Sequence, residues 1–388
     1  MYANRVDRIK PFEVMQVMAR AFELEGQGHD VVHLEVGEPD FATAEPIVAA
    51  GQAALAAGAT KYTNAVGIDA LREKIAAYYA ALGVDVTAER ILVTAGASGG
   101  LTLLNALFLN PGDELLITDP GYPCNDVFAQ LVGATPSAIA VNENEGFVPT
   151  IGHLEAHWSA RTRGVLFASP ANPTGTMFTP AQLRELTAFV RAREGFFILD
   201  EIYQGITWDA PYQTGLSLVD DLYVLNSFSK FFGMTGWRLG WLVVPEEAVE
   251  PITKLAQNLF ICPSTPAQMA AMAAFDAPAM AIHEERAAEF ARRYRVLSEG
   301  LIAMGFRIPV TPAGAFYVYV DVSHTGMVAK EFCWRLLDEF YVATTPGDDF
   351  GTQDKDRFVR FAYTNSISAI ETALGRVRAA LQAWQISS

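Results

Sequence analysis

Short apolar runs alternate with stretches of helical spacing through most of the chain. Ala70–Leu82 keeps its apolar residues on one helical face, and Arg90–Thr94 (RILVT) then reads as a buried strand. Gly99–Leu109 returns to helix and Glu114–Thr118 (ELLIT) to strand. Gly164–Ala168 (GVLFA), a helix over Ala181–Arg193 and Phe196–Leu199 (FFIL) continue the rhythm, and Tyr223–Asn226 (YVLN) and Leu239–Val244 (LGWLVV) complete it. Continuous β-branched and aromatic runs separated by helices predict a mostly parallel sheet covered on both faces. A long helical stretch, Pro278–Met304, leads to a different texture, in which Ala315–Val320 (AFYVYV), Tyr341–Thr344 and Arg357–Ala362 predict strands. The expected fold class is α/β, a mostly parallel sheet flanked by helices with a smaller α+β domain. Residues 46–285 are assigned to the large domain. Residues 1–45 plus 286–388 are assigned to the small one, with the N-terminal segment packed against it.

Composition narrows the function. At 388 residues the chain exceeds one ordinary core, and 28 basic against 44 acidic residues leave a net charge of −16. That balance repels phosphate backbones, so no nucleic-acid partner is expected. Anions must be held by local devices, because salt screens the long-range field beyond about 8 Å. Cys124, Cys262 and Cys333 are far apart and form no C-x-x-C, which fits a reducing cytoplasm. Neither a signal peptide nor a membrane-spanning apolar run is legible, so a cytoplasmic, membrane-free protein is expected.

In open α/β sheets, ligands collect outside the C-terminal ends of the strands. AGASGG follows RILVT, DPGYP follows ELLIT, SPANPTG follows GVLFA, DEIYQG follows FFIL and SFSKFFGMTGWR follows YVLN. Asp200 ends the FFIL run, where its carboxylate would enter the site. A lone lysine is usually solvated, but Lys230 has apolar or small neighbours (FFGMTGW) that would desolvate its amine and lower its pKa. Arg238, between Trp237 and LGWLVV, offers phosphate a bidentate fork. The turn Gly96-Ala97-Ser98-Gly99 stands between a strand and a helix, where backbone N–H groups and the positive helix end bind anions. It lacks the lysine of a P-loop and the full G-x-G-x-x-G spacing. An amine, a carboxylate, an anion cup and an arginine are the set that a pyridoxal phosphate site requires.

With those residues placed, the chain resembles the class I/II aminotransferases, the fold-type I pyridoxal phosphate enzymes of the aspartate aminotransferase superfamily. The likeness runs from about Val36 to Thr364 and is carried by S-F-S-K-x-x-G-M-T-G-W-R-L-G-W, S-P-A-N-P-T-G and D-E-I-Y. It implies that residues 46–285 bind pyridoxal 5'-phosphate, and that Lys230 carries the Schiff base and moves the proton. Asp200 would pair with the ring nitrogen, Tyr203 and Asn172 would bond the ring oxygen, and Tyr122 would stack on the ring. Gly96, Ala97, Ser98, Ser227 and Arg238 would hold the phosphate. Arg360, in RFVRFAYTNS, would clamp the substrate α-carboxylate with the backbone of Gly37 and the amide of Asn172. Tyr62, in KYTNAVG, would reach the phosphate across a dimer interface, so a homodimer is implied. Many relatives carry a second Gly or a longer polar residue where this chain has Ala97 and Ser98. The implied reaction moves an amino group from an L-amino acid to a 2-oxo acid.

Other chemistries compete for the same residues. Gly96–Gly100 fits a G-x-S-x-G nucleophile elbow, with Asp200 and His283 or His324 in hydrolase order, which would make Ser98 a serine nucleophile. That leaves Lys230, Arg238, Arg360 and the N-P-T-G turn without work. Ser227-x-x-Lys230 fits the β-lactam-active pattern but lacks its companion motifs. His153 and His157 share a helical face without a third ligand, so no metal is expected. A fold retained only for binding would have no need of every chemical position. Within the cofactor family, carbon–sulfur β-lyases and α-decarboxylating relatives are the nearest alternatives. Arg360 favours breaking the Cα–H bond over decarboxylation. Phe12, Val14, Val36, Tyr62 and Tyr122 are the candidate side-chain contacts, and their mostly apolar character points to a neutral aliphatic or aromatic donor. The implied acceptor is 2-oxoglutarate or pyruvate.

Overall fold

A computed structural model describes residues 2–208 and 214–386 of the chain; Met1 and Ser388, the outer ends of the predicted small domain, lie outside the described residues. The main sheet has seven strands: β2 (Ile91–Thr94), β3 (Glu114–Asp119), β4 (Thr135–Ala140), β5 (Thr162–Ala168), β6 (Phe196–Asp200), β7 (Tyr223–Ser227) and β8 (Gly240–Val243). Their order across the sheet is β2-β8-β7-β6-β5-β3-β4. Pairing is parallel from β7 to β4, whereas β8 runs antiparallel to both β7 and β2. Val165, Leu166, Phe167, Ile198 and Leu199 are essentially inaccessible, as strands covered on both faces require. Each such side chain contributes roughly 1.5–3 kcal/mol of burial free energy.

The boundaries differ from the sequence expectation for physical reasons. The helix predicted from Gly99 starts at Gly96 and runs to Phe108, so the supposed turn Gly96–Gly99 is already its first turn. β4 (TPSAIA) was not anticipated, because it is a largely solvent-facing edge strand without an apolar run. The AFYVYV strand begins only at Tyr317, since Ala315 sits at φ +63° and cannot extend. Of the predicted Tyr341–Thr344 strand only Val342–Ala343 forms, since Tyr341 sits at φ +59°, and a separate strand follows at Thr345–Pro346.

The second unit contains β9 (Tyr317–Asp321), β10 (Val342–Ala343), β11 (Thr345–Pro346) and β12 (Phe358–Ala362). Strands β11-β12-β9 form an antiparallel sheet. The N-terminal strand β1 (Val32–His33) pairs in parallel with β10, which ties the start of the chain to its end. The helix Ala277–Ile302 runs without a break through the predicted 285/286 boundary. Among the described residues, no helix is long and apolar enough to cross a membrane.

Candidate active site

A cavity of about 400 Å³ opens at the C-terminal ends of β5, β6 and β7 and is closed from the opposite side by residues of the second unit. Asp200 is the last residue of β6, so the strand itself delivers the carboxylate. One of its oxygens accepts the Ile202 N–H at 3.0 Å. Burial pushes its pKa up to about 6, against the pull of that N–H and of the Lys230 charge. Lys230 follows β7, and its Nζ donates to the Gly37 carbonyl at 2.6 Å. Burial lowers its pKa to about 8; Arg360 and Arg238 add to the effect, and Glu38 and Asp200 oppose it. One cavity thus holds a carboxylate raised and an amine lowered, both moved toward neutrality by desolvation.

The antiparallel course of β8 determines where Arg238 stands. A parallel strand would put its start at the far end of the sheet. Reversed, β8 brings Arg238, two residues before it, to the same edge as the ends of its neighbours. Gly96 opens the helix Gly96–Phe108, whose first-turn N–H groups receive no side-chain cap. A Cβ on Gly96 would lie 2.7 Å from Arg238 Nη2, and the residue sits at φ +70°, so only glycine lets the guanidinium approach the helix start. Ala97, Ser98 and Ser227 line the cavity beside it. Ser227 Oγ donates within reach of Ser229 Oγ (3.0 Å) and the Leu239 carbonyl (3.3 Å).

Across the cavity, β12 carries Arg360, which is 4% exposed. Its Nη1 donates to Asn172 Oδ1 at 2.9 Å, and Nη2 donates to the Glu35 carbonyl at 2.5 Å and to Thr345 Oγ at 3.3 Å. The guanidinium lies over the rings of Tyr317 and Phe350, 4.4 and 4.7 Å from their centroids. Its Nε is buried without a hydrogen-bond partner among the described residues. Tyr203 and Tyr317 share a hydroxyl hydrogen bond of 2.8 Å. A side chain at Gly37 would place Cβ 1.9 Å from the Tyr317 hydroxyl, so that aromatic dictates the glycine.

Of the residues singled out from sequence, Tyr122, Asn172 and Tyr203 also line this cavity, as do Phe12, Val14 and Val36. Tyr62 does not; it is 80% exposed. Tyr317, Phe350, Asp349 and Leu101 line the cavity and were missed, as were Met15 and Met18. The periodicity of Val14 and Met18 and the alternation within YVYV were the available signals, but neither says which neighbour they face. The rival sites do not assemble. His283 packs against Phe231 and Phe232, His324 packs on Phe306, and neither lines the cavity that holds Ser98. His153 Nδ1 accepts the Thr150 N–H and so serves the helix start, while His157 Nδ1 donates to the His153 carbonyl.

The family model for aminotransferase class I and II matches residues 29–377. The chain is 36% identical to a (5-formylfuran-3-yl)methyl phosphate transaminase of Methanocaldococcus jannaschii, over 97% of this chain and 99% of that one. It is 37% identical to a valine–pyruvate aminotransferase of Mycobacterium tuberculosis, over 95% and 96%. Among solved structures, an aminotransferase from Mycobacterium tuberculosis superposes with a TM-score of 0.95 at 36% identity, covering 99% of both chains. An aspartate aminotransferase from Thermus thermophilus with maleate gives 0.92 at 32%, covering 98% of this chain and all of that one. With this match over nearly its whole length, the chain belongs to the class I and II aminotransferases.

Proposed function

We propose that this aminotransferase works with pyridoxal 5'-phosphate and transfers the amino group of a neutral L-amino acid. The observation that carries the proposal is the joint presence of Lys230 and Asp200, with pKa values moved to about 8 and about 6, in one cavity with Arg238 and Arg360. The donor set fits the cofactor. The uncapped helix start at Gly96 faces a guanidinium that a Cβ would crowd, which makes a cradle for a phosphate. The buried carboxylate of Asp200 suits a protonated ring nitrogen.

Lys230 would hold the cofactor covalently, and Asp200 would keep its ring nitrogen charged. Tyr203 and Asn172 would bond its ring oxygen, and Tyr122 would cover its face. Gly96, Ala97, Ser98, Ser227 and Arg238 would hold its phosphate. When bound, the group supplies an electron sink for a carbanion at the substrate Cα. Lys230 would move the proton at that carbon, a task its pKa of about 8 in this cavity suits near neutral pH. Arg360 would fork the α-carboxylate, assisted by Asn172 and the Gly37 backbone, and the apolar wall around Phe12 and Met18 would keep water out.

A homodimer belongs to the same proposal. Tyr62, fully formed on the surface and without a role in its own cavity, would serve the phosphate of a neighbouring protomer. So do a cytoplasmic location and two units, 46–285 and 1–45 plus 286–388. The names of the relatives point to different side chains, valine and pyruvate in one and aspartate in others. The lining apolar residues support a neutral donor.

The test is direct. Purified protein with added cofactor should absorb in the visible, and borohydride should fix the cofactor to the peptide carrying Lys230. K230A should show neither, and a wild-type protein that stays colourless would sink the proposal.

A further inference from the structure

Among the described residues, six charged ones line the cavity: Lys230, Arg238, Arg360, Glu38, Asp200 and Asp349. On the cofactor and α-carboxylate assignments proposed above, Lys230, Asp200 and Arg238 serve the cofactor and Arg360 serves the α-carboxylate. The two charges left over, Glu38 and Asp349, are both acidic. Among the described residues, no cation lining the cavity remains for a second carboxylate.

Asp349 is the better placed of the two. Glu38 is exposed, whereas Asp349 is 8% exposed. It stands next to Phe350, whose ring lies under the Arg360 guanidinium. Its Oδ1 accepts the Glu13 N–H at 2.7 Å, and Glu13 is the first residue of a helix whose own N-cap, Phe12, offers no side-chain acceptor. Asp349 therefore fastens the start of the helix Glu13–Gly26, and with it Val14, Met15 and Met18, against the cavity. The wall opposite the strand ends is thus apolar carbon with a carboxylate set into it. Capping needs only an acceptor oxygen, which Asn supplies equally well. The negative charge itself is not required to hold the helix.

The geometry points to Asp349 as a specificity-determining residue that excludes dicarboxylic substrates. A substrate with a second carboxylate would bring like charges together in a desolvated pocket, where Arg360 is already taken by the α-carboxylate and no other cation among the described lining residues is free to offset them. In transamination one cavity takes the amino acid and releases its 2-oxo acid, then takes a different 2-oxo acid and releases the matching amino acid. The exclusion therefore acts on both partners. The enzyme pairs a neutral amino acid with a monocarboxylic 2-oxo acid of the pyruvate type, and it turns away glutamate, aspartate and 2-oxoglutarate.

The experiment compares kcat/KM for alanine, valine and phenylalanine with that for aspartate and glutamate, and for pyruvate with 2-oxoglutarate, in wild type and D349N. In wild type the best monocarboxylic partner should exceed every dicarboxylic one by about 100-fold or more. D349N keeps the acceptor oxygen for Glu13 and should narrow that ratio by about tenfold. D349S serves as the second variant if D349N does not fold. Glutamate or 2-oxoglutarate turned over as well as the monocarboxylic partners, by a wild-type protein that carries the borohydride-fixed adduct at Lys230, overturns the exclusion while leaving the cofactor assignment intact. An unchanged ratio in a folded position-349 variant overturns it as well. Absence of the adduct overturns both.

Discussion

At the scale of single residues, burial sets the chemistry. Lys230 and Asp200 are ordinary titrating groups whose charged forms are made costly by desolvation, and the cavity moves both pKa values toward neutral pH. Arg360 is held by two acceptors and an amide while its Nε stays unmatched, so its fork geometry matters more than its charge. R360K should lower kcat/KM for donor and acceptor by on the order of 100-fold, mainly through KM, with little change in thermal stability. Steady-state kinetics and a melting curve check both halves of that statement. The Glu35 carbonyl that holds Arg360 belongs to a fully buried residue whose carboxylate bonds His33 Nδ1 at 2.7 Å. The hydrogen bond to Glu35 raises the His33 pKa to about 9, against burial. A raised folded-state value makes the contribution complete below the unfolded pKa of about 6.5 and removes it as pH rises through 9. Melting temperatures should show wild type ahead of H33Q at pH 6, with the gap closed above about pH 9. An equal gap at both ends would show that the imidazole acts only as a spacer.

At the scale of elements, direction decides what meets what. The reversal of β8 puts Arg238 beside the first turn of the helix Gly96–Phe108, and Gly240 lies so close that a Cβ there would meet the Asn226 carbonyl at 2.8 Å and Gly96 C at 3.0 Å. G96A forces a left-handed residue and crowds Arg238, costing about 1–2 kcal/mol of strain. Cofactor titration followed by absorbance should show G96A binding at least about tenfold more weakly, with the Lys230 adduct still forming at saturation. The motif S-F-S-K-x-x-G-M-T-G-W-R was legible because its spacing encodes chemistry directly. The position of the helix start was not legible, because a glycine-rich segment reads as a turn until tertiary contacts fill its first turn.

At the scale of the whole molecule, the site is a junction. Its floor comes from one sheet, its Arg360 guanidinium from β12 of another, and its apolar wall from the helix Glu13–Gly26 near the start of the chain. Closing such a junction over a ligand binds only the folded state, so saturating cofactor should raise the melting temperature in proportion to the logarithm of its excess over Kd. On the proposed dimer, K230A and Y62A chains should complement each other. Hybrids formed by co-expression should recover cofactor at one site of two, whereas K230A alone should hold none covalently and Y62A alone should hold it weakly. Recovery absent from the hybrid would place Tyr62 outside the neighbouring site. The net charge of −16 is compatible with the proposed anion binding, because Lys230, Arg238 and Arg360 line one cavity while the surface charge is screened.

The sequence by itself determined the α/β class, the strand-end placement of Asp200 and Lys230, and the arginines, because periodicity and motif spacing are local properties of the chain. Asp349, Tyr317, Phe350 and the two methionines of the first helix entered the site only through the tertiary structure. Their partners lie hundreds of residues away, as with Glu13 and Asp349 or Gly37 and Tyr317. The direction of β8 was settled in the same way, since a run of buried apolar residues is equally compatible with either direction until its neighbours pair with it. The chemical groups were therefore readable in one dimension. Which of them face each other, and which charges share the cavity, was decided by packing.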